Sequence, residues 1–524
     1  MKKEIQAKVN KLYEESKKCT EKNPVKQVEL VIEIGEICDV YTDSEKKEIA
    51  NAIYPLLMEE NDYMVIIFMY TSIIQWNPSD ALMIELQKYI LTLRNISWQT
   101  KYFLYNQVAC RIFRYRQLET KETKILKWKM LSEVVTEAYN MLDMDLKPIE
   151  EKDRDNDLVI VIADQILNPN HAPTKTALGR CKALIEKMGK KVLLINTAES
   201  LSFEGAIPFY DAKKAVYFEE LRDCDSLEWE GVSIPFFQYE QNMPNLINIK
   251  ELLLFIQKNR PAYIISVGGS SLVANLANKM IPVISLSLCF SDIDITLTDY
   301  QIVGRNLTQE DRDILQEVNY EENQIITSQF TFGLKEQSKH YTKSQLGIPE
   351  EQFVISIIGA RLDDEMTEPF LNQLEKIVEQ GYFVVFMGLY ETYDKKMEGY
   401  PLMKKHSIYL GFCSDVLAIL ENCDIYLNPY RKGGGSSCVE AMYMGKPVIS
   451  IDFGDVSTNV GDDFLVKDYD EMFDLLAHYK EDILFYEKQS EKARKRAELL
   501  LDETGSFEEA VIEFERRERE KNRE

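Results

Sequence analysis

The stretch from Asp424 to Ser450, DIYLNPYRKGGGSSCVEAMYMGKPVIS, constrains this chain more than any other. DIYLNPY is a short, β-prone apolar run of the kind that forms a buried parallel strand. RKGGGSS is a cationic, glycine-rich turn. CVEAMYMG places helix formers at helical spacing and stops at Gly445, and a second strand opens at Pro447. Strand, turn, helix and strand make one βαβ unit. Its turn aims backbone N–H groups and the positive helix end at whatever lies above the sheet. Gly433, Gly434 and Gly435 let a ligand approach the main chain. Ser436 and Ser437 can cap the helix or donate to phosphate oxygens, and Arg431 and Lys432 add positive charge. A triple glycine alone is only a turn; the flanking strands, and Glu440 one turn into the helix, make it a diphosphate site.

These residues resemble the donor-binding signature of GT-B glycosyltransferases, enzymes with two Rossmann-like domains that use nucleotide sugars. Glu440-Ala441-Met442 and Gly445-Lys446-Pro447-Val448 match the second half of the pattern in their large retaining group. The first half begins with a glutamate eight residues before Glu440, and that position is Lys432 here. The carboxylate so replaced is the one that normally touches the transferred sugar. Upstream, FVISIIGARLDDEM resembles the opening of the donor domain, which implies that Arg361 reaches the donor diphosphate. Met366 stands where many relatives carry a lysine, and Lys432 is read as the replacement charge. Leu410-Gly411-Phe412, followed by Asp415 and an apolar helix, resembles the segment that holds the nucleotide base. Glu440 takes the place of the ribose-hydroxyl acceptor.

The resemblance spans about 158–501 and is closest in the C-terminal half. It implies an α/β GT-B fold with a central cleft. It also implies sugar transfer from a nucleotide sugar, a UDP-sugar foremost, with no metal and no cofactor. Catalysis would consist of holding the leaving diphosphate in a cationic pocket rich in N–H groups.

The 524 residues suggest two to four domains. Residues 1–150 carry apolar residues at helical spacing and read as an all-helical domain of six or seven helices, with breaks near Asn23-Pro24, Asn61-Asp62 and Asn77-Pro78. This domain is either structural or a docking surface for a protein acceptor or a partner subunit. Residues 157–305 read as the N-terminal Rossmann-like domain on the acceptor side, and 306–350 as the interdomain linker region. Residues 351–500 read as the donor domain, and 501–524 as a C-terminal helix with a charged tail.

LVIVIADQIL is the first strand of the N-terminal domain, and Asn170, His171 and Thr174 lie in the turn that follows, beside Asp164 and Lys175. His171 and Lys432 are the candidate catalytic residues. Gly268, Gly269 and Ser270 form a second glycine-serine turn assigned to the acceptor side. Asp292-Ile293-Asp294 has the Asp-x-Asp form that binds a metal–nucleotide complex in the other large transferase fold, GT-A. A three-residue match is too short to override its GT-B surroundings, and no metal site is expected.

A net charge of 62 − 87 = −25 argues against general nucleic-acid binding. No apolar run is long enough for a signal peptide or a membrane span. The nine cysteines show no CxxC pairing, and His171, His340, His406 and His478 are too dispersed for a zinc site. These features predict a cytoplasmic protein. A helical domain on a GT-B core resembles the bacterial cytoplasmic enzymes that glycosylate adhesins, which implies a protein acceptor (an adhesin, flagellin or other surface protein) or a growing surface glycan. The alternative is a catalytically silent homologue that binds acceptor or assists an active partner.

Overall fold

The computed structural model describes residues 3–17, 42–169, 171–199, 217–240, 243–289, 291–501 and 505–521. Among these, six α-helices precede the first strand: Lys3–Ser16, Asp43–Leu57, Tyr63–Trp76, Asp80–Thr92, Trp98–Arg114 and Lys121–Met141. Polar residues start several of them, one in the predicted break at Asn61-Asp62. Asp62 accepts from the Met64 N–H, Ser97 from Thr100 and Thr120 from Thr123, satisfying first-turn donors that have no partner within the helix. The apolar stretch 26–41, also predicted helical, lies outside the described residues.

An eight-stranded sheet follows, in the order β3-β4-β2-β1-β5-β6-β7-β8. Its strands are β1 Asp155–Ala163, β2 Lys191–Asn196, β3 Ser226–Trp229, β4 Val232–Gln238, β5 Pro261–Val267, β6 Val283–Leu286, β7 Tyr300–Val303 and β8 Ile325–Thr327. All neighbours pair in parallel except the edge hairpin β3–β4. Successive β1 residues serve opposite faces, as strand pleating requires. Val159 and Val161 pack with the helix Ala172–Glu186, while Ile160 and Ile162 share a core with Tyr102, Leu104 and Val134. The helical region is therefore one layer of the N-terminal Rossmann unit rather than a bundle with its own core.

One further boundary differs from the sequence reading, and the C-terminal helix packs back on the N-terminal unit. Residues 306–350 are not only a linker: helix Gln309–Glu317 and strand β8, paired in parallel with β7, extend the N-terminal sheet to residue 327. The helix Gly505–Lys521 returns to that same unit and buries Phe507 and Phe514 in its core.

The second sheet has six strands in the order β11-β10-β9-β12-β13-β14, and every pair is parallel. They are β9 Phe353–Gly359, β10 Tyr382–Gly388, β11 Ser407–Tyr409, β12 Ile425–Leu427, β13 Val448–Ile451 and β14 Leu465–Val466. Apolar cores cover both faces, which is why these strands read as unbroken hydrophobic runs. β9 and β10 end in an unusually close approach. Gly388 has φ +114°, and a Cβ there would stand 1.9 Å from the Gly359 carbonyl oxygen.

Candidate active site

The glycine turn leaves β12 and enters the helix Gly435–Tyr443. Arg431 points inward beneath it. Its Nε donates to Asn428 Oδ1 at 2.9 Å, Nη1 to Glu365 Oε2 at 2.8 Å, and Nη2 to the Tyr426 hydroxyl. The side chain is only 4% exposed. Burying a guanidinium requires such pairing, so Arg431 is a post under the turn and not one of its outward cations. Gly434 sits on that post with φ +101°, where a Cβ would come within 2.7 Å of the guanidinium. Gly434 is also the N-cap, and no side chain caps the helix. Ser436 and Ser437 are thus first-turn residues rather than caps, with Ser436 exposed and Ser437 half-buried.

Lys432 turns the other way and meets two carboxylates. Its Nζ donates to Glu119 Oε1 at 2.5 Å and to Asp292 Oδ2 at 3.0 Å. Burial disfavours the charged lysine, but Asp292 and Glu119 hold its pKa well above the ordinary lysine range. Burial likewise opposes ionisation of Asp292, yet the Lys432 and Lys124 ammoniums keep that carboxyl well below the usual range. Arg361 lies on the exposed side, its guanidinium carbon 5.0 Å from the centre of the Phe113 ring. A Cβ on Gly433 would come 3.1 Å from Arg361 Nη2. The structure thus puts the Arg361 guanidinium beside Gly433, while the Lys432 ammonium faces the helical layer.

The N-terminal domain supplies the facing groups. His171 precedes the helix Ala172–Glu186, and its Nδ1 lies 3.2 Å from Thr174 Oγ1, which accepts from the Leu167 N–H at 3.0 Å. Asn170 lies outside the described residues. Burial pulls the Lys175 pKa below the ordinary range, and the Glu440 charge opposes that. Reciprocally, burial pushes the Glu440 carboxyl up to about 7 against Lys175 and Lys335. Glu440 and Lys175 thus meet electrostatically across the two Rossmann domains.

The second glycine-serine turn is held from behind. Gly268 has φ +89°, Gly269 is pressed against the Ile295 carbonyl, and Ser270 donates to Asp164 Oδ2 at 3.3 Å and accepts from the Tyr102 hydroxyl at 3.1 Å. The contacts of Ser270 run to the residue after β1 and to the helical layer. At the Leu410-Gly411-Phe412 turn, the Gly411 carbonyl accepts from the Gly388 N–H at 2.8 Å, and Phe412 is 61% exposed. Asp292, within the Asp-x-Asp triplet, is engaged by lysines, and burial pushes the Asp294 carboxyl up to about 7.

Glu199 resembles Asp294 in this respect: burial raises it to about 7, although Ser271 and Thr197 donate to it. A carboxyl whose folded pKa is raised gives the fold more bound protons than the unfolded chain. Its stabilising effect is complete below the unfolded value near 4 and is lost as pH rises through about 7. The carboxyls that are lowered titrate below that window. The melting temperature is therefore expected to fall by several degrees between about pH 5.5 and about pH 8, and Glu199→Gln should reduce the fall. A flat or rising profile in differential scanning calorimetry contradicts this.

Sequence reasoning missed Phe113, Glu119 and Glu365. Glu119 stands 313 positions from the lysine it pairs with, and no local pattern marks it. The one available signal was its place in a polar break between two long helices.

Residues 338–499 match the family described as glycosyl transferases group 1. Among solved structures, an O-GlcNAc transferase mutant of Thermobaculum terrenum aligns at 12% identity with a TM-score of 0.55, covering 99% of this chain and 98% of that one. A glycosyltransferase from Rickettsia africae aligns at 13% identity with a TM-score of 0.50, covering 69% of this chain and 99% of that one. No curated protein sequence matches. Together these show a GT-B fold preceded by a helical region, with a C-terminal domain that matches the glycosyl transferases group 1 family over residues 338–499. Among the described residues, no helix is long and apolar enough to cross a membrane.

Proposed function

We propose that the chain moves a sugar from a nucleotide sugar, a UDP-sugar first among them, to a protein or a growing surface glycan in the cytoplasm. The observation that carries this reading is the Arg361 guanidinium standing beside Gly433, where the chain enters a helix whose first turn no side chain caps. In this reading the leaving diphosphate takes the first-turn N–H groups and the Arg361 guanidinium, which stabilise the charge that develops as the sugar bond breaks. Phe412 offers a face for the base and Glu440 a carboxylate for ribose hydroxyls. The acceptor enters from the side of His171 and Lys175. Metal-free transfer agrees with the charge pattern, because protein cations stand at the turn and Asp292 is committed to two lysines.

The test is a thermal-shift screen against UDP-, GDP-, ADP- and CMP-sugars in EDTA. A true donor stabilises the native state by mass action. One nucleotide is expected to raise the melting temperature, and Arg361→Ala to abolish the rise. If no donor shifts the wild-type protein, the donor site is refuted and the silent-homologue reading takes its place.

A further inference from the structure

The Lys432 ammonium has three N–H groups, and two of them go to carboxylates from different parts of the fold. Glu119 comes from the turn between the helices Trp98–Arg114 and Lys121–Met141, and Asp292 from the segment after β6. Lys432 and Glu119 are 8% and 9% exposed. The roles of the two acids differ. Asp292 also binds Lys124 at 3.0 Å, whereas Glu119 stands 3.9 Å from Lys124 and 2.5 Å from Lys432. The charge of Glu119 is thus directed mainly at one group. The same helical segment brings the Phe113 ring to two cations, 5.0 Å from Arg361 and 6.0 Å from Lys432. Next to it, Arg114 reaches Asp364 in the donor domain at 3.4 Å.

We propose that Glu119 is a positioning residue of the donor site: it fixes the Lys432 ammonium over the same Phe113 ring that Arg361 faces, so that the helical region forms one wall of the site. This rests on the donor reading given above. Lysine is a flexible point charge on a four-carbon stem, and a clamp decides whether its charge stands where a phosphate lies. Asp292 alone leaves the ammonium tethered at one point; Glu119 gives it the second. Residues Phe113 to Lys124 therefore act on the donor before any question of acceptor docking arises.

The experiment is isothermal titration of the full chain with UDP, with GDP, ADP and CMP run beside it. Glu119→Gln is expected to weaken binding about tenfold, with Glu119→Asp intermediate. In a Lys432→Met background, Glu119→Gln should change affinity by less than about twofold, because its effect passes through the lysine. A merely structural role would weaken binding equally in both backgrounds, and that result overturns the proposal. Tighter binding in Glu119→Gln would mean that the carboxylate competes with phosphate for the ammonium, which overturns it too. Wild-type protein that binds UDP while Glu119→Gln binds equally well refutes this inference alone. Wild-type protein that binds none of the four nucleotides refutes the donor reading and this inference with it.

Discussion

Arg431→Met is expected to lower the melting temperature of the C-terminal domain by on the order of 10 °C. The substitution preserves length and apolar bulk but removes the cation that stands nearest the Glu365 carboxylate among the described residues, at 2.8 Å from a side chain that is 7% exposed. Breaking a buried pair from one side leaves an uncompensated charge and costs about 3–5 kcal/mol. The Tyr426 hydroxyl and Asn428 lose their partner as well. Arg361 Nη2 already stands 3.5 Å from the other Glu365 oxygen. Drawing it inward is the available compensation, and that takes the exposed cation away from the turn. Donor affinity should therefore fall together with stability. Adding Glu365→Gln should recover most of the lost stability, since the stranded charge is then gone. Calorimetry of the single and double variants checks this, and a single variant melting within about 2 °C of wild type contradicts the buried-post account.

Glu440→Ala should leave melting nearly unchanged and weaken nucleoside diphosphate binding near 100-fold. Hydrogen bonds to a charged group contribute about 1.5–3 kcal/mol each, so two ribose hydroxyls on one carboxylate amount to about 3 kcal/mol. The carboxyl titrates near 7, so wild-type affinity should rise between about pH 6 and about pH 8 as the charged acceptor forms. In Glu440→Gln that rise should vanish. Titration calorimetry at several pH values measures both. Equal affinity in Glu440→Ala would remove Glu440 from the donor site and leave it a half-buried acid facing Lys175.

Much of the donor domain could be read from the chain alone, because parallel strands buried on both faces announce themselves as short apolar runs. β9, β10, β12 and β13 fall where those runs lie, and Gly445, with φ +69°, ends its helix where a left-handed residue is needed. The direction of a side chain within a loop leaves no such trace. Arg431 and Lys432 are adjacent and equally cationic, yet one goes under the turn and the other toward the helical layer. What decides is the position of Glu365, 66 residues away, and of Glu119 and Asp292. Helical periodicity showed that each N-terminal helix buries a face, but not what that face meets. The shared core with Ile160 and Ile162 came only with the structure. β8 escaped notice because three residues are too few to establish a period.

The helix Gly505–Lys521 has a consequence for the order in which the molecule is made. It lays Phe507, Ala510, Val511 and Phe514 into the N-terminal core, and Arg517 donates to the carbonyl of Ile325 on β8 at 2.8 Å. These residues leave the ribosome only after the whole C-terminal domain has been synthesised. Until then the N-terminal unit carries an open apolar flank. Chain growth from the N-terminus and completion of the domains therefore run in different orders: the half begun first is finished last, and the nascent protein must shield that flank throughout the synthesis of the other half.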